Sequence, residues 1–135
     1  MKHSKRFQYY QPNKMDLKDQ YGDCQIRALS KAFNVSWMDA FEMTIPICKK
    51  YQTPQLFNLP CKIEQQALAE LGFVYQGISN KKGAKRPTID SFAKDHPEGI
   101  YIVNVANHEV AVVDGEYYDT WDSGSCSLYG YYERV

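Results

Sequence analysis

Residues 107–121 read NHEVAVVDGEYYDTW, and this stretch decides how the C-terminal part of the chain folds. Asp114 and Gly115 at its centre are a strong signal for a two-residue hairpin turn, because both central residues of such a turn need a positive φ. The apolar and aromatic residues on either side are typical of paired strands. A two-residue turn sets the register, so Val112 should lie opposite Tyr117. The stretch therefore predicts a β-hairpin whose turn is this Asp-Gly pair.

The hairpin brings a histidine and an aspartate to one face of the sheet. Side chains alternate between the two faces of a strand, so His108 and Asp119 become diagonal neighbours, with roughly 7–8 Å between their backbones. That separation allows a side-chain hydrogen bond, whereas Asp122 points to the other face if the strand continues straight. An unpaired buried charge is costly, and an imidazole N–H would satisfy the Asp119 carboxylate. The register thus predicts a His108–Asp119 pair, with an ordinary histidine on a surface hairpin as the alternative.

A second informative stretch, residues 21–28, reads YGDCQIRA. Asp23 can cap a helix that begins at Cys24, while Gly22 lets the backbone turn sharply and leaves the sulfur uncovered. The unpaired N–H groups and the dipole of a first helical turn stabilise a thiolate, and the same N–H groups can hold an oxyanion. These features predict a lowered pKa and high reactivity for the Cys24 thiol. The alternative is that Cys24 is a small buried apolar residue, as most cysteines are.

Together the two stretches supply the three parts of a cysteine hydrolase. Cys24 is the candidate nucleophile, His108 the general acid and base, and Asp119 the carboxylate that orients the imidazole. No cofactor is expected, because covalent acyl transfer needs none. No metal site is expected either, because the three histidines are scattered and neither CxxC nor HxxxH spacing occurs. Tyr117 and Trp121 fall on the same face as His108 and are candidate substrate-binding residues.

Length and composition favour one small domain. With 135 residues, of which 44% are apolar, the chain fits a single domain over residues 1–135 with one core. Sixteen basic and sixteen acidic side chains cancel, so no net charge favours nucleic acid or an anionic membrane. No window reaches the roughly 18 apolar residues of a membrane span. The basic start lacks the apolar core of a secretory signal, and four cysteines without export are expected as free thiols. A cytoplasmic location is therefore expected.

The order of predicted elements indicates an α+β fold. Residues 1–21 lack clear periodicity and are expected to form an N-terminal arm that lies over the domain. Helices are predicted first, and an antiparallel sheet afterwards, so a helical N-terminal part should pack on a C-terminal sheet. The predicted helices cover residues 24–33, 37–45, 60–72 and 88–93, and the predicted strands cover residues 73–78, 100–105, 108–113, 116–121 and 128–133.

The stretches around Cys24, His108 and Asp119 resemble the papain-like cysteine peptidase superfamily. There, a cysteine opens the central helix, and a histidine plus Asn or Asp come from the following sheet. Residues 119–121, Asp-Thr-Trp, resemble the Asn-Ser-Trp of the papain group, with Asp as the orienting residue. Residues 22–30, GDCQIRALS, are similar to the Gly-Asn-Cys…Arg-Ala-Ile-Ser helix start of the ovarian-tumour-type deubiquitinases. The combination of GDCxxRA with HxVAVVDGxYYDTWDS looks still more like a group of small bacterial and phage proteins of papain-like fold.

The resemblance implies a thiol hydrolase that cleaves an amide or isopeptide bond of a peptide or protein substrate. Papain-like enzymes often carry an oxyanion-hole glutamine about six residues before the cysteine, but Lys18 occupies that place. Gln20 is the nearest candidate donor, beside the Cys24 backbone N–H. Specificity should come from the 81–86 loop, the N-terminal arm and the tyrosines. Two alternatives remain: a catalytically inactive papain-like module that binds a peptide or protein partner, and a transferase or amidase acting on a peptidoglycan fragment.

Overall fold

A computed structural model describes residues 4–15, 22–79, 83 and 85–135 of the chain. Within these ranges, four helices and six strands confirm the predicted α+β class. None of the helices in these described ranges is long and apolar enough to cross a membrane. In chain order the elements are β1 Phe7–Tyr9, α1 Cys24–Phe33, α2 Trp37–Tyr51, a 3₁₀ turn Leu56–Asn58, α3 Cys61–Ala69, β2 Phe73–Gly77, α4 Ile89–Asp95, β3 Ile100–Val105, β4 His108–Val113, β5 Glu116–Asp119 and β6 Gly130–Arg134.

The six strands form one sheet in the order β1-β5-β4-β3-β6-β2. Strands β4 and β5 form the predicted hairpin, with Val112 paired to Tyr117 as expected. Asp114 and Gly115 have φ values of 48° and 83°, which is the backbone conformation that this turn requires. Strand β5 ends at Asp119, two residues earlier than predicted. The turn chemistry therefore sets the register, and the chain leaves the sheet directly after the aspartate.

Helices cover both faces of the sheet. Helices α1, α2 and α3 pack on one face around Leu29, Leu68 and Ala111. Helix α4 packs on the other face around Phe92 and Val112. Adjacent residues of β4 thus belong to different apolar clusters, as the alternation of a strand demands. The sheet lies between two layers of helix, and the active-site candidates sit where β4 and β5 meet the start of α1.

The N-terminal arm contributes a strand of its own. Phe7 pairs with Tyr117 and Tyr9 with Asp119, so β1 runs parallel to β5 at the edge of the sheet. The prediction of a purely antiparallel sheet is therefore wrong, and residues 7–9 are part of the sheet. Three residues are too few to show a strand period in the sequence. The pairing also depends on a sheet edge formed by residues more than a hundred positions later in the chain.

Helix α2 is longer than predicted because it continues through Pro46 to Tyr51. A proline removes one helical hydrogen bond and usually ends a helix. Pro46 is exposed, so water can satisfy the carbonyl that loses its donor. Thr44 and Ile47 on either side are buried against the core, and this packing holds the helix together. Tertiary packing thus overrides the local signal.

Candidate active site

Cys24 is the first residue of α1, as predicted. Gly22 has a φ of +82°, and a Cβ at this position would lie 2.7 Å from Gln55 Oε1, so the turn before the helix requires glycine. Asp23 occupies the N-cap position, but its side chain makes no capping hydrogen bond. Its carboxylate instead accepts a hydrogen bond from Arg27 one turn later. The Asp23 side chain therefore does not occupy the N–H groups of the first turn.

The thiol of Cys24 is buried, with 7% of the residue exposed. Burial raises the pKa of the Cys24 thiol to about 11, against the smaller opposing effects of Arg27 and of the backbone N–H groups of Glu109 and Gln25. The sequence-based prediction of an uncovered sulfur with a lowered pKa is therefore wrong for this structure. Loss of hydration disfavours the thiolate more than the helix start favours it.

His108 and Asp119 form the predicted pair. His108 Nε2 lies 2.7 Å from Asp119 Oδ2, and the two side chains are 13% and 2% exposed. A carboxylate can only accept here, so Nε2 is the protonated nitrogen of the neutral imidazole and Nδ1 carries the lone pair. The bond fixes both the orientation and the tautomer of the ring. Nδ1 is thus the nitrogen left to take up a proton.

Three further groups surround the Asp119 carboxylate. Ser123 Oγ donates to Oδ2 over 2.6 Å, and the Thr120 backbone N–H donates to Oδ1 over 2.7 Å. Arg27 Nη2 lies 3.8 Å from Oδ1. These donors compensate the burial of the carboxylate. Sequence reasoning assigned no role to Arg27 or Ser123, because one lies on a helix and the other beyond the end of β5, and only the folded chain brings them together.

Asp122, the competing carboxylate, is turned away from the imidazole. Its Oδ1 accepts hydrogen bonds from Tyr117 Oη at 2.5 Å and from the Gly124 backbone N–H at 3.0 Å. Tyr117 is fully buried in the core on the α4 face. The prediction that Tyr117 contacts substrate therefore fails, because a side chain that water does not reach offers no binding surface.

Trp121 lies over the histidine at the edge of the site. Its ring stacks on the His108 imidazole, with 5.4 Å between centroids and 26° between planes. The residue is 51% exposed, so it combines contact with the imidazole and a free face. Of the two predicted substrate-binding aromatics, only Trp121 has the exposure that this role needs.

The backbone of β4 links the thiol to the imidazole. The Glu109 backbone N–H donates toward the Cys24 sulfur, and Glu109 directly follows His108. Neighbouring side chains of a strand point to opposite faces, so the Glu109 side chain is directed toward α1 while His108 turns toward Asp119. Among the described residues no hydrogen bond joins the sulfur to the imidazole. The thiol and the His108–Asp119 pair are therefore adjacent but not in hydrogen-bond contact.

Two predicted parts of the site lie outside the described residues. The proposed oxyanion donor Gln20 belongs to residues 16–21, and residues 80–82 and 84 belong to the basic loop expected to influence specificity. Within the described residues, the oxyanion donors at hand are the backbone N–H groups at the start of α1. No group of three His, Cys, Asp or Glu side chains in those residues is arranged to hold a metal ion.

A pocket of about 70 Å³ lies next to the start of α1. It lies between α1, α2 and the 3₁₀ turn, and Trp37 Nε1 at its wall is buried with no hydrogen-bond partner among the described residues. Cys24, His108 and Asp119 do not line this pocket. The side chains that line it are mostly apolar: Ile26, Trp37, Phe41, Leu56 and Phe57.

Comparison of the chain with protein-family models, with curated protein sequences and with solved structures finds no match.

Proposed function

We propose that this chain is a papain-like cysteine hydrolase that cleaves an amide or isopeptide bond in a peptide or protein. The observation that carries the proposal is the 2.7 Å bond between His108 Nε2 and the buried Asp119 carboxylate, beside a cysteine that opens a helix. A surface histidine needs no such support, whereas a base that must cycle between neutral and charged forms does. The fold class and the order Cys, His, Asp agree with this proposal.

The raised pKa of Cys24 indicates how the thiol would react. With the sulfur protonated at neutral pH, His108 Nδ1 would remove the thiol proton as the sulfur attacks the carbonyl carbon. The C–S bond forms as the carbonyl π electrons move to oxygen, where N–H groups at the start of α1 stabilise the charge. His108 then passes its proton to the departing amine, which leaves a thioester at Cys24. Water deprotonated by His108 hydrolyses the thioester and restores the thiol.

The proposal is tested by covalent labelling with electrophilic peptide probes, such as acyloxymethyl ketones with varied side chains. We expect labelling at Cys24 that His108→Ala reduces by about a hundredfold, because the base is lost. His96→Ala is the matched control, since His96 stacks on Phe92 in the α4 layer. Labelling that depends equally on both histidines, or that occurs at Cys48, Cys61 or Cys126 instead, would contradict the proposal.

A catalytically inactive binding module is the second candidate. It is favoured by the burial of Cys24 and by the missing hydrogen bond between its sulfur and His108. Such a module would bind a peptide over the half-exposed Trp121 without cleaving it. Intact-mass analysis and tryptophan fluorescence together distinguish the two candidates. A hydrolase forms a covalent adduct with the probes, whereas a binding module shifts the Trp121 fluorescence without forming an adduct.

A further inference from the structure

Two buried carboxyl groups lie close to the candidate nucleophile Cys24, in contact with the next residue of α1, Gln25. Glu64 from α3 and Glu109 from β4 are 5% and 1% exposed. The side-chain amide of Gln25 donates to both, over 2.9 Å to Glu109 Oε1 and 3.3 Å to Glu64 Oε2. A glutamate is almost never this buried without a specific reason, and the chemistry described above uses neither carboxyl.

The surroundings of the two carboxyls favour one proton held between them. Burial raises the pKa of both groups, and for Glu109 the nearby charge of Glu64 raises it further, to well above the ordinary value. Tyr132 Oη donates to Glu64 over 2.7 Å, and Asn104 Nδ2 donates to Glu109 over 3.0 Å. Like charges this close do not ionise together, so Glu109 keeps the proton and hydrogen-bonds with the Glu64 carboxylate.

Both partners of this pair are connected to Cys24. Gln25, which bridges the carboxyls, is the next residue in α1. The backbone N–H of Glu109 is directed at the sulfur and lowers the thiol pKa, whereas a negative charge on the Glu109 side chain raises it. Glu109 therefore has two opposite effects on the pKa of the thiol: its backbone N–H lowers that pKa in either protonation state, and its side chain raises it only when ionised.

We propose that Glu109 is a positioning residue for Cys24: its proton, shared with Glu64, keeps negative charge away from the sulfur, while its anchored side chain directs its backbone N–H at that sulfur. The importance of this arrangement for catalysis rests on the proposed role of Cys24 as nucleophile. The electrostatic relationship itself does not, since it concerns only the thiol.

Groups from six elements determine the titration of the pair. His108 precedes Glu109 on the same strand, and the Cys24 sulfur lies beside it. Tyr75 has a weak effect on the titration of the pair, because both glutamates contribute to the raised pKa of its phenol. The pair itself comes from α3 and β4, and the groups that face it are Cys24 and Gln25 from α1, Tyr75 from β2, Asn104 from β3 and Tyr132 from β6.

The first test measures the alkylation rate of Cys24 against pH by peptide mapping of the full chain. Glu109→Gln cannot ionise, so the midpoint should fall by about one pH unit relative to the wild type, in which an ionised Glu109 raises the pKa of Cys24. At lower pH, where wild-type Glu109 still holds its proton, the two proteins should react at the same rate. Glu64→Gln leaves Glu109 without its charged neighbour, so Glu109 should lose its proton at lower pH. Alkylation of Cys24 should then be slower than in the wild type over the pH range in which only the variant's Glu109 is ionised. Glu70→Gln, on the surface beside Lys50, is the control and should leave the alkylation midpoint of Cys24 unchanged.

A merely structural role predicts a different result. Glu109→Gln would then lower the melting temperature and leave the midpoint at or above that of the wild type, which would overturn the proposal. If Glu109→Gln does not fold, the wild-type chain answers the question. Carbon NMR of labelled glutamate carboxyls should show one that stays protonated near neutral pH, and ordinary titration of all of them would overturn the proposal.

Failure of the hydrolase proposal can be distinguished from failure of this one. Neither measurement uses a substrate, so a shifted midpoint in a protein that no electrophilic peptide labels would leave the positioning role intact and reject hydrolysis. Labelling that depends on His108 but is indifferent to Glu109→Gln at every pH would do the reverse.

Discussion

Arg27 Nη2 lies 3.8 Å from Asp119 Oδ1, and this contact joins the helix that begins at the candidate nucleophile to the carboxylate that orients His108. Both side chains are largely buried, at 14% and 2% exposed. Arg27 also bonds Asp23 and lowers the pKa of the Cys24 thiol. One guanidinium thus acts on the two halves of the proposed catalytic site.

Removal of this cation should affect both stability and thiol chemistry. Arg27→Gln leaves the buried Asp119 charge without its cation, and breaking a buried pair costs about 3 kcal/mol. It should also move the alkylation midpoint of Cys24 to higher pH. Arg27→Lys keeps the charge but not the planar fork, so it should lose only part of each effect. Denaturant titration and alkylation against pH measure the two quantities. Equal midpoints for Arg27→Gln and the wild type would refute the electrostatic link.

Alanine substitutions should show which of the two candidate aspartates, Asp119 or Asp122, orients the His108 imidazole. Asp119→Ala removes the acceptor of His108 Nε2, and we expect Cys24 labelling by electrophilic peptides to fall by at most the roughly hundredfold loss of His108→Ala, because Asp119 acts through the imidazole. Asp122→Ala removes the acceptor of Tyr117 Oη and should lower stability while labelling continues. A larger loss of labelling in Asp122→Ala would show that the orienting residue has been assigned to the wrong aspartate.

In the absence of substrate, the Cys24 thiol should react slowly with alkylating reagents. Because burial raises its pKa to about 11, a small neutral alkylating reagent near neutral pH should react with the exposed Cys61 first. Mass spectrometry of peptides after brief alkylation gives the order directly. Faster reaction at Cys24 would mean that His108 holds the thiolate as a preformed ion pair, and concerted proton transfer would then have to be abandoned.

Protein stability should fall as the pH rises through the titration of Glu109. Its pKa is raised in the folded chain, so the folded state keeps a proton that the unfolded chain loses above about pH 4. The contribution is complete below that pH and declines as the pH rises toward the folded-state pKa. Glu109→Gln cannot ionise, so the difference in unfolding free energy between wild type and variant should shrink from pH 5 to pH 9. A difference that stays constant would contradict a proton held by Glu109.

Most of the hairpin could be predicted from local signals. Asp114-Gly115 sets the turn and the turn sets the register, so His108 and Asp119 had to approach each other whatever the rest of the chain did. Helix α1 likewise begins at Cys24 because the turn at Gly22 precedes a run of helix-forming residues, although the Asp23 side chain does not cap it. These signals act over a few residues, within which backbone geometry alone decides the outcome.

The sequence by itself determined the α+β class, the start of α1 and the pairing of His108 with Asp119. Only the tertiary structure decided that Cys24 is buried, that β1 joins the sheet beside β5, and that Glu64 and Glu109 meet behind the thiol. The physical reason is the range of the interactions. Turn type and strand alternation depend on neighbouring residues, whereas hydration and pKa depend on every group within a few ångströms, and here those groups come from six different elements.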